Sequence, residues 1–121
     1  MTEMLEKLRF YQKAKELYSA SWKDSEILMK DFRGKEVAKQ LTRSVGSICA
    51  NIEEGCGRGF GKEYPQFLRI ARGSAKESLG WYERSKFLIS IDTVSQRIKT
   101  LEEIIGALSK SIYTLENRKR K

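Results

Sequence analysis

The sequence predicts an all-α protein, an antiparallel up-down-up-down four-helix bundle, and three observations carry that expectation. Apolar residues recur at three- and four-residue spacing along the whole chain, and no run alternates with period two. One proline and 40% apolar side chains in 121 residues describe a single folded domain, residues 1–121, with one core. Short glycine-rich or polar breaks divide the chain into four segments, and short connections between long helices make neighbours antiparallel. The competing arrangement is a pair of long hairpins that complete their core by dimerising.

The first helix is expected over about 2–31, with Leu5, Leu8, Phe10, Ala14, Leu17, Ser21, Leu28 and Phe32 near one face. Gly34 is placed to end it, because glycine readily takes the left-handed conformation that closes many helices. The second, about 36–56, keeps Val37, Leu41, Val45, Ile48 and Ile52 in a narrow arc. It ends in Gly55–Gly61, where four glycines in seven residues cannot continue a stable helix. The third, about 62–90, carries Pro65 in its first turn, where a missing N–H costs nothing. Its inward face reads Tyr64, Leu68, Ala71, Ala75, Leu79 and Tyr82, and the small residues Gly73, Ser74, Ser78 and Gly80 read as a tight packing seam. The fourth, about 92–118, is the most regular. Ile91, Ile98, Ile105 and Ile112 recur every seven residues beside Val94, Leu101, Leu108 and Leu115, an a/d heptad pattern. Asp92–Thr93 offers capping chemistry, and Arg118, Lys119, Arg120 and Lys121 suit the negative end of a helix dipole.

Composition removes several chemistries. Histidine is absent, which excludes His-based triads, His metal ligands and the commonest general base. Cys49 and Cys56, if on one helix, lie about 10 Å apart along its axis, too far for an unstrained bridge. They read as buried or half-buried small hydrophobes. No uncharged run is long enough to span a bilayer, and MTEMLEKLRF lacks a basic region followed by an apolar one. The expectation is therefore a cytoplasmic, non-enzymatic protein with no metal, no cofactor and no membrane partner. The net charge is +8. Before Gly61 there are 11 basic and 9 acidic residues, and from there on 13 basic and 7 acidic, so most of the excess is C-terminal. A basic balance favours polyanionic partners.

Two regions offer candidate contacts. Asn51, Glu54 and Arg58 form one stripe flanking the core arc of the second helix, with Glu54 four residues ahead of Arg58 in the favourable ion-pair order. The stripe reads as a polar seam to a neighbouring helix or subunit; a catalytic Glu54 would lack any partner acid or base. The connection Gly57–Lys62 has no preceding strand and no P-loop spacing. Its cations at a helix start remain suited to a nucleic-acid phosphate. Phe60 either stacks on an unpaired base or plugs the bundle end. On the third helix Arg69, Arg72 and Lys76 make a basic stripe centred roughly 100° from the core face, where it borders a groove or a subunit contact. With Lys39, Arg43, Lys62 and the tail cations Arg118, Lys119, Arg120 and Lys121 it forms the candidate nucleic-acid-binding set. The bland reading is scattered solubilising charge. The aromatics Tyr11, Tyr18, Trp22, Trp81, Tyr82 and Phe87 exceed what one small core holds, so some are expected to be exposed on a monomer and covered by another subunit.

One stretch reads like a motif. Arg43, Asn51, Ile52, Glu54, Gly55, Gly57 and Arg58, followed by Phe67, Leu68, Ile70, Ala71, Gly73, Ser74 and Glu77, resemble the pattern N-I-A-E-G-x-G-R … F-L-x-I-A-x-G-S-x-x-E. That pattern is the mark of the bacterial proteins encoded within intervening sequences of 23S ribosomal RNA genes. The opening Phe10–Leu17 is similar too, whereas the match after Glu77 is looser. Glu53 stands where the family commonly has alanine, and Cys49 where it often has proline, which makes for a straighter second helix. The resemblance implies a left-handed four-helix bundle that assembles as a homopentamer with a central opening, and a proposed role in binding nucleic acid. A sister branch resembles the accessory proteins of diversity-generating retroelements, which work with a reverse transcriptase and its RNA template. The expected function is thus a non-enzymatic homo-oligomer that binds RNA or DNA through phosphates without sequence preference. The alternatives are an adaptor for a reverse transcriptase and a purely structural bundle.

Overall fold

A computed structural model describes residues 2–119, with side chains over 4–118. A short helix α1 (Thr2–Glu6) precedes four long ones, α2 (Arg9–Met29), α3 (Gly34–Gly57), α4 (Tyr64–Arg84) and α5 (Ile91–Lys119). A 3-10 turn, Ser85–Phe87, lies between α4 and α5. Helix α3 packs against α2 and α4, α4 packs also against α5, and α2 meets α5 to close a four-helix bundle. Among the described residues there is no strand, and no helix is long and apolar enough to cross a membrane.

The core follows the apolar arcs. Phe10, Ala14, Leu17 and Leu28 of α2 meet Leu41, Val45, Ile48 and Ile52 of α3, Leu68, Ala71, Ala75 and Tyr82 of α4, and Leu101 and Leu108 of α5, all buried. Several boundaries differ from expectation. The first helix is broken at Lys7–Leu8, where N–H groups bond three residues back to Met4 and Leu5 and Leu8 takes an extended conformation. Apolar periodicity hides the break because Leu5 and Leu8 both still pack on the core.

The chain leaves α2 at Met29, so Phe32 is 81% exposed rather than in the core. Asp31 organises this corner by accepting from the Arg33 backbone N–H at 2.9 Å and from its guanidinium. Gly34 opens α3 instead of closing the helix before it. A Cβ there would stand 2.1 Å from the Leu28 carbonyl oxygen and 2.8 Å from Leu88, so glycine is required by close approach and not by a left-handed backbone.

Helix α4 starts at Tyr64 and ends at Arg84, short of the expected 90, because the chain tightens into the 3-10 turn. The cap of α5 is Ser90, whose Oγ accepts the Thr93 N–H at 3.3 Å; Asp92 lies inside the first turn, where its charge suits the dipole. The heptad reading of α5 also shifts. Val94, Leu101, Ile104, Leu108 and Ile112 are buried, Ile98 and Ile105 are partly buried, and Ile91 is 66% exposed. A helix that packs against both α2 and α4 needs a stripe following 3.6 residues per turn, wider than a two-helix seam.

One polar crossing ties three helices together. Tyr82 of α4 donates its hydroxyl to Asp24 Oδ2 of α2 at 2.7 Å. Arg97 of α5 donates to the same carboxylate at 2.8 and 3.2 Å. Asp24 is 3% exposed and Tyr82 fully buried, yet no buried side-chain N or O among the described residues lacks a partner. Burial first, then the bond to Asp24, raises the Tyr82 phenol well above its usual range. Cys49 and Cys56 are free thiols on α3, and burial pushes Cys49 up to about 11, an unreactive state at neutral pH.

Candidate nucleic-acid interface

The basic stripe of α4 faces α5. Arg69 and Arg72 are half-buried and Lys76 is exposed. Arg69 pairs with Glu116 and also donates to Gln66 at 3.3 Å. Arg72 donates to the Ser109 hydroxyl at 3.2 Å, a neutral partner, and has no ion pair among the described residues. Lys76 has neither hydrogen bond nor ion pair from its ammonium group among the described residues. Tyr113, 70% exposed, follows Ser109 by one turn on α5. Arg69 and Arg72 thus reach across to α5.

The α3 cations lie on the other flank. Lys39 and Arg43 are exposed, and Arg43 pairs with Glu77 and donates to Gln40 at 2.9 Å. Glu77 also accepts from the Trp81 indole at 3.0 Å. Arg43 therefore meets α4 on its α3 side while Arg69 and Arg72 reach α5, and the two groups are not brought together. Between them runs the outer face of α4. Gly73 has no atom within 4 Å of where a Cβ would stand, and Gly80 meets only the far end of the Arg84 side chain. The small-residue seam is therefore serine and alanine, not glycine. Ser47 and Ser74 hydroxyls lie 2.8 Å apart, and Ser78 donates to Ser44 at 2.8 Å.

The α3–α4 connection is built by the motif residues. Asn51 donates to the Ser47 carbonyl at 2.8 Å and to its hydroxyl at 3.1 Å, which orients Ser47 toward Ser74. Gly55 is buried against α4, where a Cβ would stand 2.9 Å from the Tyr64 ring and 3.0 Å from Phe67 Cβ. Arg58 binds Glu54 at 3.0 Å and Glu63 at 2.8 Å, and its guanidinium lies 5.1 Å from the Phe67 ring centre. Its hydrogen bond to the Glu54 carboxylate and the charge of Glu63 raise its pKa, and the two ion pairs commit this arginine to joining the helix ends. Gly59 and Phe60 take positive φ values of 84° and 58°. They turn the Phe60 ring edge-on to Tyr64 at 4.8 Å, half-buried, as a plug for the bundle end. Lys62 is exposed in the same connection and Arg118 near the end of α5. Lys119 closes α5, while Arg120 and Lys121 lie outside the described residues.

A family profile of 23S rRNA-intervening sequence proteins matches residues 6–114. The chain belongs to that family. A crystal structure of a protein of unknown function from the S23 ribosomal protein family of Bacteroides thetaiotaomicron is similar in fold. It has a TM-score of 0.76 and 24% identity, over 85% of this chain and 97% of that one. No curated protein matches in sequence. In this 23S rRNA-intervening sequence protein, the motif residues Asn51, Glu54, Gly55, Arg58 and Ser74 all serve the α3–α4 junction. Gly73 does not, since it is exposed and a Cβ there would meet nothing within 4 Å. Sequence reasoning missed Asp24 and Arg97. Asp24 falls four residues before Leu28 and three after Ser21, a carboxylate on a core arc, and that placement is a readable signal.

Proposed function

We propose that this protein is a non-enzymatic, homo-oligomeric nucleic-acid-binding protein that holds phosphates along the α4–α5 groove. The observation that carries the reading is the pair Arg72 and Lys76, cationic, adjacent and without a carboxylate partner among the described residues, with Arg69 and Tyr113 alongside. Ion pairs to Glu77 and to Glu54 and Glu63 set Arg43 and Arg58 aside as structural. Trp22, 58% exposed, and Tyr18 beside it on α2 support a subunit contact, and the family resemblance makes a pentamer the expected assembly. Repetition around a ring would add weak phosphate contacts through avidity.

Binding to labelled RNA and DNA, single- and double-stranded, across a salt series is the test. Affinity should fall steeply with salt, and Arg72→Ala with Lys76→Ala should flatten the logarithmic slope by about two per subunit engaged. Arg43→Ala should leave the slope unchanged. Salt-independent affinity, or equal effects of all three substitutions, would reject the proposal.

A further inference from the structure

We infer that one end of the bundle, where the Lys30–Arg33 corner lies beside the Ser85–Phe87 turn, is a stacking platform for unpaired nucleotides. This rests on the nucleic-acid reading above and adds which form of nucleic acid is held and where its bases go. Phe32 and Phe87 are 81% and 82% exposed, more than any other large apolar side chain described. They belong to two separate connections, and each has a cation over its ring, Lys86 without an ion pair among the described residues and Arg33 paired with Asp31. Arg33 stands 5.9 Å from the Phe32 centroid and Lys86 5.3 Å from that of Phe87.

The two connections are held side by side by packing. Gly34 lies against Leu28 and Leu88 too closely for any side chain. Arg33 and Phe87 line one cleft of about 160 Å³ floored by Leu28, Val37 and Leu88. The rings are thus presented by fixed corners rather than by loose loops.

This arrangement fits a single strand. A base has an apolar face and follows its phosphate by one bond path, so a ring with an adjacent cation meets both parts at once. A duplex hides its base faces, and a rigid corner cannot reach them. A purely apolar partner would have to bury the Lys86 ammonium, at a desolvation cost that an anionic partner offsets. Along these two connections and the helix ends that flank them the sequence carries Lys30, Arg33, Lys35, Arg84 and Lys86 against Asp31, Glu36, Glu83 and Asp92, with Arg33 paired to Asp31. The local balance is only slightly positive, so stacking rather than charge has to supply the preference for this end.

The experiment uses the full chain with a fluorescein-labelled twelve-nucleotide RNA, either single-stranded or annealed to its complement, at several salt concentrations. Phe32→Ala and Phe87→Ala should each weaken single-strand binding by about tenfold, leave duplex binding unchanged and leave the salt slope as in the parent protein. Phe87→Trp should retain the affinity. Both rings are exposed, so the variants keep their fold, which circular dichroism checks. Equal losses for both RNAs, or no loss, would overturn this inference while leaving the groove reading intact. Variants that change the sedimentation coefficient and not RNA affinity would reassign the rings to a protein contact and overturn it too. A parent protein that binds neither RNA at low salt would remove the nucleic-acid reading itself.

Discussion

The Asp24–Arg97–Tyr82 crossing and the Arg58–Glu54–Glu63 group use the same chemistry in opposite surroundings. In the first, a carboxylate that is 3% exposed accepts three hydrogen bonds from two other helices. In the second, an exposed guanidinium bridges two exposed carboxylates across a connection. Water supports every member of the second group when a partner is lost, and supports none in the first. Burial, not the number of contacts, decides which one the fold depends on.

The contrast breaks most sharply at Asp24. Asp24→Ala leaves Arg97 and the Tyr82 hydroxyl without their acceptor and should cost about 3–5 kcal/mol in urea unfolding. The double change Asp24→Leu with Arg97→Met should recover most of that loss, and Arg58→Ala should leave the urea midpoint unresolved from the parent. The same inside–outside division separates two glycines of the motif. Gly55→Ala drives a methyl into the Tyr64 ring and Phe67, for an expected loss of about 1–3 kcal/mol. Gly73→Ala enters open space and should stabilise the isolated subunit by about 1 kcal/mol through helix propensity. A loss of assembly mass in Gly73→Ala would show that a second copy approaches there.

The smallest effect lies at Asp31. Its hydrogen bonds from Arg33 hold the carboxyl down at about 2. Because the folded value lies below the unfolded one, the stabilisation is present above the ordinary carboxylate range and is lost as pH falls through about 2. A carboxyl titration by NMR should find that midpoint, and Arg33→Ala should return it toward the usual range.

The arcs that built the core were legible because each helix repeats its apolar spacing over many turns. Leu41 to Ile52 and Leu68 to Tyr82 fall where periodicity puts them. What escaped are places where the pattern continues through a change in the chain. Leu8 stays in phase across the α1–α2 break, and Phe32 stays in phase after the chain has turned away. The order of seven in α5 pointed to Ile91 and away from Ile104, because a heptad describes one neighbour and α5 has two. At the candidate site, the stripe of Arg69, Arg72 and Lys76 could be placed by angle alone. Which cations are neutralised could not, since Glu77 and Glu116 reach them across helix boundaries that spacing does not encode.

A ribbon that repeats every seven residues carries no mark to say where along its length it should stop. Slid by one repeat, α5 would still offer leucine and isoleucine to its neighbours, but Ser90 or Ile104 would then face Asp24 in place of Arg97. Neither can neutralise a sunken negative charge. The single guanidinium therefore acts as the index line on a sliding scale, admitting one vertical setting of the last helix and penalising the rest.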